Sequence, residues 1–245
     1  MQGKWHNIFV YLSGIIVMGY LLFAVVLSYK PHPSQSCDNI RIILKDSVER
    51  QFISSMEIVS LLKQKGVYPV GKELCNVSCS AIEEVLQAHP VIQSSECYKT
   101  SSGLIKIKVR QRVPKFRVIT ENESYYVDTH REVMPVLSGC AAYVPVVTGR
   151  VGKSFAKDVL FDFVDYLEDD ELWKDQITQI HVTEYQEIVL SPRVGSHRVE
   201  LGKMENYESK MEKLRKLYVD GFNQLGWKSY RVIDLRYKGQ AVCRY

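Results

Sequence analysis

No aspartate or glutamate occurs in the first 30 residues of this 245-residue chain, and no long apolar run occurs after them. Its six histidines (His6, His32, His89, His130, His181 and His197) are scattered and show no HExxH spacing of a zinc hydrolase. The G-x-S-x-G turn that presents a nucleophilic serine is also missing. The stretch Gly149-Arg150-Val151-Gly152-Lys153-Ser154 has the tail of a phosphate loop, but Val147 stands where that loop needs its first glycine. These absences point away from an enzyme and from any bound cofactor or small-molecule substrate. The part after residue 30 carries 30 basic against 28 acidic residues, with no basic block or arm, so a nucleic-acid partner is not expected. Internal repeats and low-complexity tracts are absent as well.

What is present begins with residues 8 to 29, IFVYLSGIIVMGYLLFAVVLSY, which contain no charged side chain. As a helix rising about 1.5 Å per residue this run spans roughly 33 Å, enough to cross the hydrocarbon core of a bilayer. A cleaved signal peptide would have a shorter apolar core ending at a small-x-small site. Here Ala24 is followed by Val25, Val26 and Leu27, so the run reads as an uncleaved anchor. Lys4 and Lys30 flank it almost symmetrically, and the positive-inside rule gives little direction. The short N-terminal tail and large remainder suggest that the bulk is exported.

The sequence contains six cysteines, Cys37, Cys75, Cys79, Cys97, Cys140 and Cys243, all outside the apolar run. An oxidising compartment would permit pairing, and Cys75, Cys79 and Cys97 are close enough for one disulfide among them, though the sequence does not choose the pair. With His89 they lack the paired C-x-x-C signature of a structural zinc site.

After the polar linker KPHPSQSCD (30–38), residues 40–45 predict a strand. Residues 54–65 predict a helix capped by Ser54 or Ser55, with Met56, Val59 and Leu62 on its buried face and Gly66 at its end. A second helix is expected from about Ser80 to Ala88, with Ser80 and Glu83 as a capping box and Ile82, Val85 and Leu86 inward. Residues 91–98 and 104–112 read as strands. In the latter, Leu104, Ile105, Ile107 and Val109 are interrupted by Lys106, Lys108, Arg110 and Arg112, which marks a sheet with one wet face. The order is β-α-α-β-β.

Beyond Pro114, strands are expected at 116–120 and 125–129, with a short apolar piece at 143–149. A helix over about 154–168 carries Phe155, Val159, Phe163 and Leu167 at four-residue spacing. The acidic run Glu168-Asp169-Asp170-Glu171 reads as a solvated helix end, with Asp169 or Asp170 capping another short turn. Three strands (176–184, 186–191, 197–201) precede a second long helix over about 205–225, with Met204, Tyr207, Met211, Leu214, Tyr218 and Leu225 on one stripe. KSYRVIDLRY, a turn at Lys238-Gly239 and a strand over 240–245 complete the pattern. That last strand either completes the sheet or lies at its edge with unpaired backbone groups.

The apolar anchor, IEEVLQAHPVIQSSECYK, VRQRVP, YYVDTHREVMP, VPVVTG and VIDLRYKGQAV, in this order and spacing, resemble the FtsQ/DivIB family of bacterial cell-division proteins. The resemblance implies an α+β chain with a cytoplasmic tail (1–7), a transmembrane anchor (8–29), a linker (30–39), a POTRA domain (40–113) and a β domain (114–245) with two long helices. It further implies a bitopic, non-enzymatic scaffold of the inner membrane at the division septum, with its domains periplasmic. Such a scaffold would recruit FtsB/FtsL-type partners and couple septal peptidoglycan synthesis to division. The partner would be received on the last strand, through Arg236, Tyr237, Gly239, Gln240, Ala241 and Val242. Arg236 would pair with a partner carboxylate, and Tyr237 would act as an anchor. Arg110 and Arg112, where the first domain closes, are assigned either to partner contact or to the hinge and wet sheet face. Two readings compete with the scaffold: a membrane-anchored periplasmic enzyme, which needs convergent titratable groups in a cleft, and a POTRA-bearing transport component, which needs a following membrane β-barrel.

Overall fold

A computed structural model describes residues 17–24, 35–45, 52–137, 140–222, 226–227 and 230–245. Most of the 8–29 run therefore lies outside the described residues. The part within them, 17–24, is helical, and no helix among the described residues is long and apolar enough to cross a membrane.

The first module forms as the hydrophobic periods require. Its strands are β1 (Asn39–Lys45), β2 (Ile92–Lys99) and β3 (Leu104–Gln111), in the spatial order β1-β3-β2. Along β3 the burial alternates strictly, with Ile105, Ile107 and Val109 inside and the cations between them facing out. Two helices, α1 (Ser55–Gln64) and α2 (Cys79–Gln87), supply the other half of this core through Ile58, Leu62, Ile82 and Leu86.

The sequence misplaces some of this detail. Ser54 caps α1 in a capping box with Glu57, which turns Ile58 and Leu62 inward and leaves Met56 80% exposed. On α2 the cap is Ser78, whose hydroxyl accepts from the Ala81 N–H. The expected box between Ser80 and Glu83 does not form, because the Glu83 carboxylate accepts the Cys97 backbone N–H at 2.6 Å instead and ties the helix to β2.

The second module is a mixed nine-stranded sheet. Its strands are β4 (Pro114–Ile119), β5 (Ser124–Asp128), β6 (Val133–Pro135), β7 (Val146–Gly149), β8 (Ile177–Val182), β9 (Ile188–Pro192), β10 (Arg198–Gly202), β11 (Val232–Asp234) and β12 (Val242–Arg244). They lie in the order β12-β11-β10-β9-β8-β7-β4-β5-β6. β7 runs parallel to β4 and to β8, β10 runs parallel to β11, and the other neighbours are antiparallel.

Helix α3 consists of Lys153–Phe155, a π turn over Ala156–Leu160 and Phe161–Glu168; α4 spans Glu171–Gln176. Helix α5 covers Tyr207–Lys216 and continues as a π turn over Leu217–Gly221. The π turn in α3 inserts a residue into the helical count. The buried stripe therefore shifts to Ala156, Leu160, Phe163, Val164 and Leu167, and Val159 is left 37% exposed. Within one continuous core, Met211, Leu214, Tyr218 and Phe222 of the second long helix join Val118, Ile180, Leu190, Val199 and Ile233 of the sheet. Leu225, expected on the same stripe, is outside the described residues. Removing one large side chain from this layer costs about 2–5 kcal/mol.

Candidate functional site

β12 ends the nine-stranded order, and its neighbour there is β11. The pair is antiparallel, with Val232 opposite Arg244, Ile233 opposite Cys243 and Asp234 opposite Val242. On such a strand alternate residues direct N–H and C=O groups away from the neighbour, where another chain can bond them. The opposite end of the sheet is β6, whose last residue, Pro135, has no N–H to offer. β12 is shorter than the expected 240–245 strand.

Ala241 and Cys243 pack against the core, and burial pushes the Cys243 thiol pKa up. Tyr245 lies beyond the strand with its ring 5.0 Å from that of Tyr230. The turn before β12 is exposed: Tyr237 is 51% accessible, Gln240 is open, and Gly239 takes a φ of +76° that a side chain would disfavour.

Arg236 does not stand free for a partner. Its guanidinium donates to Asp234 at 2.7 and 2.9 Å and to Glu200 at 3.0 Å, and it lies 3.8 Å from Glu187. Arg244 reaches the same two carboxylates, Glu200 at 2.9 Å and Asp234 at 3.3 Å. The pairing with Arg236 holds the nearly buried Asp234 carboxyl below the usual carboxylate range, and its carboxylates raise the Arg236 pKa in turn. Gly202 makes room for this cluster: at φ +75°, an added Cβ would sit 2.6 Å from Arg236 Cγ.

Sequence reasoning passed over Lys213. From α5 its ammonium donates to the carbonyls of Leu235 (3.2 Å), Tyr237 (2.8 Å) and Gln240 (3.3 Å), so it fastens both sides of the turn that presents β12. The Asp234–Arg236 half of the charge cluster was within reach of a sequence argument, because residues two apart on a strand share a face. The contributions of Glu200 and Arg244 come from distant segments and carried no local signal.

The remaining expected site residues lie elsewhere. Arg112 donates to Asp128 at 2.8 Å, and that fully buried carboxylate also accepts the N–H groups of His130 (2.8 Å) and Glu132 (2.7 Å). Arg112, the residue after β3, is thus tied to the β5–β6 hairpin. Arg110 is exposed near the end of β3, in a different sheet from β12.

The disulfide expected among Cys75, Cys79 and Cys97 is not formed; all three are thiols. Cys97 is packed on the inner side of β2 whereas Cys75 is exposed. Among the described residues no group of three potential ligands is gathered for a metal ion.

The acidic run is engaged within the protein. Asp170 caps α4 through the N–H groups of Leu172 and Trp173 and pairs with Arg215, while Glu168 and Asp165 bind Lys115 at 2.7 and 2.6 Å. In the loop-like motif, Gly149 is required by packing, since a Cβ there would meet the Val182 carbonyl oxygen at 2.0 Å. Lys153 of that motif is paired with Glu123 at 2.9 Å.

A family model described as POTRA-like domain matches residues 35–110. A second, described as FtsQ/DivIB, C-terminal related, matches residues 113–244, more than half of the chain. No curated protein matches the chain significantly. A POTRA-like module followed by a large mixed sheet, together with a family model over most of that second module, places the chain in the FtsQ/DivIB family of cell-division proteins.

Proposed function

We propose that this protein is a non-enzymatic, bitopic scaffold of the division machinery. Residues 8–29 hold it in the membrane, residues 40–113 and 114–245 act as its two exported domains, and β12 receives a strand from an FtsB/FtsL-type partner. The observation that carries the reading is the position of β12 at the end of the sheet, beside an exposed turn. Strand addition gains affinity from backbone hydrogen bonds and selectivity from side chains beside them, here Val242 on the strand and Tyr237 in the turn. Confinement to the membrane plane raises the effective concentration of both partners, so a short strand is sufficient.

Arg236 enters this reading as a brace for the strand rather than as a partner contact, and Arg112 as a tie within the protein. The reading is tested by amide hydrogen exchange of the full chain in micelles, with and without an FtsB-type ectodomain. Binding slows exchange in residues 241–245, and deletion of residues 240–245 abolishes binding. Unchanged affinity of the deleted chain, or protection confined to other segments, would refute strand addition at this edge.

A further inference from the structure

The three-stranded sheet of the first module buries one face under its helices, and among the described residues no helix covers the other. Cross-strand contacts define the open face. Glu96 on β2 lies 3.8 Å from Lys45 on β1 and 3.7 Å from Lys108 on β3, and the ammonium groups of Lys106 and Lys108 sit 6.0 and 5.1 Å from the centre of the Tyr98 ring. Strand alternation adds Arg41 and Arg110 to the same side. Five cations, Arg41, Lys45, Lys106, Lys108 and Arg110, thus share this face with Glu96, which is the one carboxylate in the sequences of the three strands. Ile43 and Tyr98, each 37% exposed, add apolar and amphipathic surface among the charges.

We propose that this basic face docks on the anionic lipid headgroups of the membrane that holds residues 8–29. The inference goes beyond the partner strand on β12 and rests only on the anchoring part of the functional reading. Residues 30 to 38 separate the apolar run from β1, and nine residues extend at most about 30 Å. The first strand of the module is therefore kept within a short distance of the bilayer surface. An anionic leaflet attracts cations within a Debye length, about 8 Å at physiological salt, so only a face brought close benefits. Lysine stems lie along an interface with their ammonium groups among phosphates, and a tyrosine ring is at home at headgroup level. Docked in this way, the module would be held flat against the membrane.

The test places the full chain in nanodiscs of phosphatidylcholine alone or mixed with phosphatidylglycerol. The rate of acylation of each lysine is followed by peptide mass spectrometry. Lys45, Lys106 and Lys108 are expected to react several-fold more slowly in the anionic discs and to recover at high salt, while Lys63 on α1 reacts equally in both. Each cation removed weakens docking about fivefold, so Arg41→Ser with Arg110→Ser restores the lysine rates, and Lys63 reports that the module is still folded. Equal rates in the two lipids overturn the proposal. Protection by an acidic protein in phosphatidylcholine discs, with none from phosphatidylglycerol, overturns it in favour of a protein partner. A chain that fails to enter phosphatidylcholine discs refutes the anchor and the proposal with it, and leaves strand addition at β12 to its own test.

Discussion

Replacing Arg236 with methionine separates its internal role from a role in partner contact. The substitution keeps an aliphatic stem over Gly202 but removes the guanidinium donors at 2.7 and 2.9 Å from Asp234 and at 3.0 Å from Glu200. Breaking a fully buried ion pair costs about 3–5 kcal/mol. Here the Arg236 side chain is 42% exposed, and Asp234 keeps both Arg244 at 3.3 Å and the backbone N–H of residue 236 at 3.1 Å. Solvent and the second arginine absorb much of the loss, which leaves about 1–2 kcal/mol, or a melting temperature lower by about 3–6 °C for a chain of this size.

The pH dependence follows from the depressed Asp234 pKa. Its stabilisation is complete above the unfolded carboxyl value of about 3.9 and disappears as pH falls through the lower folded value. Urea unfolding of the full chain in micelles, read by tryptophan fluorescence, should therefore show the whole difference between wild type and R236M at pH 7 and a smaller one near pH 3. Equal stability at pH 7, or a gap that does not change with pH, would refute the internal brace. Loss of partner affinity at unchanged stability would return Arg236 to the partner interface. On the brace reading, Arg236→Glu is not rescued by an acidic-to-basic change in the partner.

Lys213→Met should release the three carbonyls that hold the turn, so that affinity for a partner ectodomain falls severalfold while the melting temperature drops by only a few degrees; equal affinity by titration calorimetry would contradict this. His197 is buried against Tyr218 and Phe222, its Nε2 lies 2.7 Å from the Tyr218 hydroxyl, and burial holds its pKa below the ordinary 6.5. Because the unfolded chain takes up that proton first, stability should decline as pH drops from about 6.5 toward the folded value, and His197→Gln should flatten the decline between pH 7 and 5. An unaltered slope in urea titrations would exclude His197 as its source. Ser78→Ala should cost about 1 kcal/mol and Ser80→Ala only a few tenths, a ranking that thermal melts decide.

The architecture was legible wherever burial has a simple period. Alternation in LIKIKVRQ and the apolar stripes of the helices located most of the strands and every long helix. The misses have local causes. A capping box needs the glutamate three residues on to be available, and Glu83 is engaged by a strand N–H. A four-residue stripe assumes 3.6 residues per turn, and a π turn breaks it at Val159. β6 is only three residues long and follows a turn in which Arg131 adopts a positive φ, so no run of alternation marked it. The position of β12 was readable as one of two alternatives, and neither its brace nor its clamp was. Glu200 meets Arg236 across 36 residues and Arg244 across 44, and Lys213 meets Gln240 across 27. Contacts at such separations leave no period to detect.

The bond from Arg112 to the buried Asp128 has a mechanical consequence. It ties the residue after β3 to the end of β5, and Tyr126 of the same strand makes an edge-on contact with Phe52. A pull on either side loads a charged clasp that water does not reach at the carboxylate.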